Sequence, residues 1–310
     1  MEFSQQPLVE TAWLAEHVHA DDLRIIDARW RGDGSSCARY TAGHIPGAVH
    51  IDWHLDLSAT IDGVPDRLLP LEWFEAMMRA VGIGNESRVV VYADYDYSGA
   101  ARLWWALRAY GHDRVAVLNG GLTKWKAEGR PLDAAIPLPD PAAFSARPRP
   151  EWLATAEEVG EALIDPSRRV RIVDTRPIEQ YVGEAIWTPL GSRFLPPDET
   201  WIEVDGRLMR AGRIPGAVHL NSSGNLNPAD WTYLSPSELR ERARAAGLEP
   251  EDRVVTYCGV GISASLGLFA LHLAGYGDLA LYDASWAEWG TDPARPIERG
   301  LPGVGRKVST

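Results

Sequence analysis

The chain has 310 residues, 45% hydrophobic and 24% charged, the balance of a globular protein with room for two domains of ordinary size. A formal net charge of -12 argues against the phosphate backbone of nucleic acid as a partner. No stretch approaches the roughly 18 apolar residues that span a bilayer.

The first residues, MEFSQQPLVETAWLAEH, carry no basic region followed by an apolar run and do not read as a secretory signal. Ile25 to Asp27 is a strand signal ending in Asp27-Ala28-Arg29. A polar segment from Gly32 to Gly43 follows, holding Asp33 and Cys37; with no strand-loop-helix context, Cys37 reads as incidental. Next come His44 and the run Ile45-Pro-Gly-Ala-Val-His50. Arg88 to Tyr92 reads as a strand, and Ala100 to Ala109 is apolar nearly all round, which predicts a deeply buried helix stopping at Tyr110-Gly111. Val115 to Leu118 is another short strand, before Trp125. Prolines at 131, 137, 139, 141, 148 and 150 mark an extended linker, with a domain boundary near residue 145.

The second half repeats this series in order. Ile172-Val173-Asp174-Thr175-Arg176 matches the first strand, and Ile214-Pro-Gly-Ala-Val-His219 repeats residues 45–50 without change. Arg253 to Tyr257 matches Arg88 to Tyr92; Ala264 to Ala274, Leu279 to Tyr282 and Trp289 complete the set. Colinear repeats of this kind indicate duplication. Val/Ile-rich strands alternating with helical periods predict an α/β fold of two tandem domains, residues 1–145 and 146–310, each a mostly parallel sheet flanked by helices.

The copies diverge after the tyrosine. The first continues Ala93-Asp94-Tyr95, the second Cys258-Gly259-Val260-Gly261-Ile262-Ser263. Ligands bind at the carboxyl ends of parallel strands, where loops enter helix N-termini. Two glycines let the backbone curl so that several N–H groups point inward, stabilising negative charge on a thiolate or persulfide, and Ser263 is placed to cap the helix. Cys258 is therefore a candidate nucleophile; the alternative is an inert small hydrophobe at a strand end. Two cysteines are too few for a disulfide framework or a thiolate metal site, and point to a reducing compartment, the cytoplasm.

Asp-x-Arg, His44-Ile-Pro-Gly-Ala, Val-Val-x-Tyr-Cys258, the glycine loop and Tyr282-Asp283-Ala284-Ser285-Trp286-Ala-Glu288-Trp289 together resemble the tandem rhodanese family, the thiosulfate and 3-mercaptopyruvate sulfurtransferases. Gly120-Gly121-Leu-Thr-Lys124-Trp125 resembles the close of a first such domain. The resemblance implies a catalytically inactive first domain and a second whose Cys258 carries a persulfide held by the loop to Ser263. It implies transfer of sulfur from a small anionic donor, 3-mercaptopyruvate or thiosulfate, to cyanide, a small thiol or a thioredoxin-like acceptor, with no metal or organic cofactor. Related phosphatases use a longer loop ending in arginine, whereas Ala264 stands at that position here.

The glycines Gly259 and Gly261 follow the mercaptopyruvate pattern Cys-Gly-Ser-Gly-Val-Thr, and the cations of the thiosulfate pattern Cys-Arg-Lys-Gly-Val-Thr are absent. Val260 occupies the place of the serine in an implied Ser-His-Asp relay, of which His44 and Asp33 would be the other members. Arg176 matches a substrate-clamping arginine; a structural ion pair is the alternative, since Arg29 holds the same place in the first half. Gln180-Tyr181 replaces a second basic residue, and Arg213 replaces the histidine of the first copy. The segment Gly183 to Gly212 exceeds the usual length and reads as either an active-site cover or a surface excursion. The rival class is a non-catalytic rhodanese-fold module for protein docking or redox sensing.

Overall fold

The computed structural model describes residues 3–95, 97–188, 191–196, 198–204, 206–301 and 307–309. From the N-terminus the elements are β1 (Leu8–Val9), α1 (Thr11–His17), β2 (Leu23–Asp27), α2 (Ser36–Ala42), β3 (Val49–His50), α3 (Trp53–Asp56), β4 (Ser58–Ile61), β5 (Val64–Leu68), α4 (Leu71–Ala80), β6 (Arg88–Tyr92), α5 (Ser98–Ala109), β7 (Val115–Leu118) and α6 (Gly121–Ala127). The second half continues with β8 (Leu153–Ala154), α7 (Ala156–Ile164), β9 (Val170–Asp174), α8 (Ile178–Tyr181), β10 (Ala185–Thr188), β11 (Gly191–Phe194), β12 (Trp201–Val204), β13 (Arg207–Arg210) and β14 (Val218–His219). It closes with α9 (Pro236–Ala245), β15 (Arg253–Tyr257), α10 (Ile262–Leu273), β16 (Leu279–Tyr282), α11 (Ser285–Trp289), β17 (Ile297–Arg299) and β18 (Lys307–Ser309).

These elements form two units. One comprises Met1–Ala59, Leu68–Pro150 and Leu226–Leu234; the other comprises Thr60–Arg67, Glu151–Asn225 and Ser235–Thr310. The main change of unit falls at Pro150, and the two short exchanged segments have no counterpart among the repeated motifs.

In the first unit five strands run in the order β1-β7-β6-β2-β3, with every pairing parallel. The second unit repeats it as β8-β16-β15-β9-β14, again all parallel. Strands covered on both faces read as unbroken apolar runs, and Val89 to Tyr92 and Val254 to Tyr257 are all buried. Helix α5 is buried on every side from Gly99 to Leu107, and α10 is buried from Ala264 to Leu271. Each fully buried Leu or Phe on them contributes about 1.5–3 kcal/mol of transfer free energy.

The repeated Asp-x-Arg builds the same buried node in each unit. Arg29 donates to both carboxylate oxygens of Asp27 (2.9 and 2.6 Å) and to Gly43 O, while the Tyr92 hydroxyl donates to Asp27 Oδ2 and accepts from the Ile45 N–H. In the second unit Arg176 grips Asp174 (2.9 and 2.5 Å) and Gly212 O; Tyr257 donates to Asp174 and accepts from the Ile214 N–H. The node ties the end of the second strand to the repeated Ile-Pro-Gly-Ala turn and to the strand that precedes the diverging loop.

The proline-rich stretch lies along the first unit without helix or strand. It is held by Arg147 N–H to Tyr110 O, Arg149 N–H to Ala109 O, and a bidentate Arg149–Asp113 pair (2.7 and 2.6 Å).

The long segment from 183 to 212 is not a featureless loop. Two antiparallel hairpins, β10–β11 and β12–β13, occupy it, with residues 189, 190, 197 and 205 outside the described set.

Candidate active site

Strand β15 ends at Tyr257, so Cys258 stands at the carboxyl end of a parallel strand, 3% exposed. The first part of its loop is fastened to α11. The Cys258 N–H donates to Ser285 Oγ (3.1 Å), Ser285 Oγ donates to Tyr282 O (2.8 Å), and the Trp286 and Ala287 N–H groups donate to the carbonyls of Cys258 and Gly259 (3.0 and 2.9 Å). Ser285 has φ 51, a left-handed conformation that a non-glycine residue adopts at a cost of about 1–3 kcal/mol and that clusters at functional sites. The Tyr-Asp-x-Ser-Trp motif flagged this segment, but nothing in it singled out Ser285 as the Cys258 partner.

Gly261, φ 81, takes the N-cap of α10, and its carbonyl accepts from Ser265 N–H and Ser265 Oγ. Ser263, expected as a cap, is instead inside α10, because the glycine turns the chain into the helix two residues earlier. Among the described residues, the N–H groups from Gly259 to Ser263 have no backbone acceptor. Consecutive unpaired amides at a helix start form a concavity suited to an anion or a polarised sulfur.

The loop's side chains are apolar and closed in: Val260 and Ile262 are buried. Trp187, from β10, lies directly against Gly259, where an added Cβ would come within 2.8 Å of the indole Cγ. Gln180, noted in the sequence only for lacking charge, has a structural task. Its amide donates to Ser192 Oγ (2.8 Å), and Ser192 donates to Glu179, so it anchors the hairpin that carries Trp187. The second hairpin is fastened too, through Trp286 Nε1 to Arg210 O (2.8 Å). Arg67, assigned to this unit, donates to Asp283 (3.2 Å) two residues before Ser285, a cation that no repeat or spacing flagged.

Arg176 does not stand free for a donor. It is 2% exposed, its Nε and Nη2 are held by Asp174 and Gly212, and its guanidinium lies over the Trp286 ring at 4.6 Å. Burial opposes its charge, but the Asp174 carboxylate, which also accepts its hydrogen bonds, outweighs that, and its pKa shifts upward. These bonds make the ion pair that was the other reading of Arg176, with its charge held in place by Asp174.

The His44–Asp33 relay is not assembled. The His44 ring nitrogens face Tyr40 O (2.9 Å) and Ala135 O (3.2 Å), and the ring is fully buried and stacked on Tyr40. Asp33 is exposed and accepts from the Ser35 N–H. Helix α2 fills the interval between them, so closeness in sequence does not become contact. In the second unit Arg213 takes the place of His44, donating to Gly300 O and Glu298 and lying over Tyr181 at 4.4 Å.

A model of the rhodanese-like domain matches residues 10–128 and 155–292. The chain belongs to the rhodanese family. It is 33% identical over 296 residues to the sulfur carrier protein TtuD of Thermus thermophilus, covering 94% of this chain and 96% of that one. It is 34% identical over 297 residues to the thiosulfate sulfurtransferase of Bos taurus, covering 91% of each. Among solved structures it resembles the 3-mercaptopyruvate sulfurtransferase SseA of Escherichia coli, with a TM-score of 0.77 at 28% identity, covering 92% of this chain and 100% of that one. The protein is accordingly a sulfurtransferase made of two rhodanese domains, and the two matched spans correspond to the two parallel sheets. No helix among its described residues is long and apolar enough to cross a membrane.

The Trp187 contact makes a testable claim within this rhodanese unit. Gly259→Ala is expected to lower kcat/KM, because its methyl group meets the indole. Trp187→Ala added to it is expected to recover most of the loss, a coupling of about 1–3 kcal/mol in a double-mutant cycle. Strict additivity of the two changes would show that the indole does not press on the loop.

Proposed function

We propose that Cys258 is the nucleophile of a double-displacement sulfur transfer, and that the first domain is catalytically inactive. The observation that carries this is the comparison of the two copies. Ala93 O accepts from Leu122 N–H (2.7 Å) just as Cys258 O accepts from Trp286 N–H (3.0 Å), so the positions are equivalent and only one bears a thiol.

In the first half-reaction the Cys258 thiolate attacks the terminal sulfur of the donor. With thiosulfate the S–S bond breaks and sulfite leaves with its electron pair. With 3-mercaptopyruvate the carbon–sulfur bond breaks and the carbon, after protonation, leaves as pyruvate. Either way Cys258 holds a persulfide, and the unpaired loop amides from Gly259 to Ser263 support its outer sulfur. Arg176, fixed by Asp174, supplies positive potential from behind. In the second half-reaction cyanide, a small thiol or a thioredoxin-like acceptor attacks the outer sulfur and the thiolate departs. Water supplies the proton that the pyruvate carbon takes up, no step calls for a metal or organic cofactor, and two free cysteines suit a reducing compartment such as the cytoplasm.

The composition of the loop favours 3-mercaptopyruvate over thiosulfate as donor. Val260, Ile262 and, against Gly259, Trp187 make the loop's environment apolar, and the loop has no cation for a compact dianion. The reduced protein incubated with each donor is expected to gain one sulfur on Cys258 by mass spectrometry. The initial-rate kcat/KM is expected to be higher with 3-mercaptopyruvate. No sulfur adduct with either donor, together with no transfer to cyanide, would refute the nucleophile; a higher kcat/KM with thiosulfate would refute the donor preference alone.

A further inference from the structure

The first unit contains a cavity of about 450 Å3, within the roughly 300–1,000 Å3 of small-molecule sites. It opens where the sister domain has its cysteine loop: Asp94, the sister of Gly259, lines it, along with Tyr95 and Thr123. Cations come to it from separate parts of the chain. Arg31 follows β2, Arg39 is on α2 and Lys126 is on α6. In a chain of net charge -12 this is a local excess of positive charge.

The floor and the rim differ. Arg31 is paired with Asp94 and its guanidinium lies over the Tyr95 ring at 4.3 Å. The pair leaves two buried atoms of opposite character without a partner, the donor Arg31 Nε and the acceptor Asp94 Oδ1. A buried polar atom left unpaired costs about 1–3 kcal/mol, and the Arg31–Asp94 pair has to open onto the cavity for a ligand to recover it. At the rim Arg39 donates only to Ser35 Oγ (3.0 Å), and neither Arg39 nor Lys126 has a carboxylate partner among the described residues. A ligand that satisfies all of this carries a carboxylate, for the rim cations and Arg31 Nε, and a nearby hydrogen-bond donor for Asp94 Oδ1.

We infer that the inactive domain is a binding domain, and that its cavity takes a small amino or hydroxy acid through Arg31, Asp94, Arg39 and Lys126. Binding does not depend on Cys258 chemistry, so it stands or falls separately from the transfer mechanism.

Calorimetric titration of the full-length reduced protein with L-serine, L-lactate and propionate tests this. Serine and lactate are expected to bind one per chain, and propionate, which has no donor beside its carboxylate, at least about tenfold more weakly. Arg39→Ala combined with Lys126→Ala should weaken serine binding by at least about tenfold while sulfur-transfer turnover stays at the wild-type level. Asp94→Ala should erase the difference between serine and propionate. Absence of saturable binding, equal affinity for propionate, or unchanged affinity in the rim variant would overturn the inference.

Discussion

Replacement of Cys258 by serine is expected to reduce sulfur transfer by at least about 10^4-fold, whichever donor is used. A serine hydroxyl stays protonated near neutral pH and offers a hard oxygen in place of a soft thiolate, so no persulfide forms. The exchange is nearly isosteric. The Cys258 N–H would keep its bond to Ser285 and its carbonyl its bond from Trp286, so the loop should hold its shape. An unchanged melting temperature alongside lost turnover separates chemistry from folding. Cys37→Ser is the matched control, since Cys37 is an exposed position on α2, and its activity should equal that of the wild type. Turnover surviving Cys258→Ser would remove the proposed mechanism.

The largest effect on stability is expected at the buried ion pair. Asp174→Ala removes a fully buried carboxylate and leaves Arg176, 2% exposed, without its counter-charge. It also strips the Tyr257 hydroxyl of its acceptor. Breaking a buried pair on one side costs about 3–5 kcal/mol, because the remaining charge stays desolvated. Urea unfolding followed by circular dichroism should show this loss. Asp27→Ala should produce a similar loss in the first unit, since Arg29 and Tyr92 repeat the arrangement. The exposed pair Arg168–Glu161, although short at 2.5 Å, is screened by water, and Glu161→Ala should change stability by no more than about 1 kcal/mol. Asp174→Ala scoring no worse than Glu161→Ala would show that the node is not a structural pair. Asp174→Ala should also reduce turnover, because the charge of Arg176 would no longer be held in place behind Cys258.

Much of this was readable from local pattern. The identical Ile-Pro-Gly-Ala-Val-His runs, the paired Asp-x-Arg strands and the apolar helices fixed duplication and the α/β class, because strand and helix periods are properties of neighbouring residues. The cysteine and its glycines were equally plain, since a strand followed by a glycine turn and a helix is a contiguous motif. The two copies also acted as controls for each other. Arg29 beside Asp27 already pointed to Arg176 being held by Asp174, and both ion pairs are present.

Contacts between distant residues were out of reach. Trp187 lies more than seventy positions from Gly259, in a segment whose two hairpins carry no strong turn signal, and only the packing of β10 against the loop joins them. Arg67 reaches Asp283 across 216 positions. His44 and Asp33 erred the other way, near in sequence yet turned apart by α2. Cys258 and its loop follow from the sequence because backbone propensity acts over a few residues. What flanks the loop, the Trp187 indole against Gly259 and the buried Ser285 beside Cys258, follows from burial, which brings together side chains that the order of the chain keeps apart.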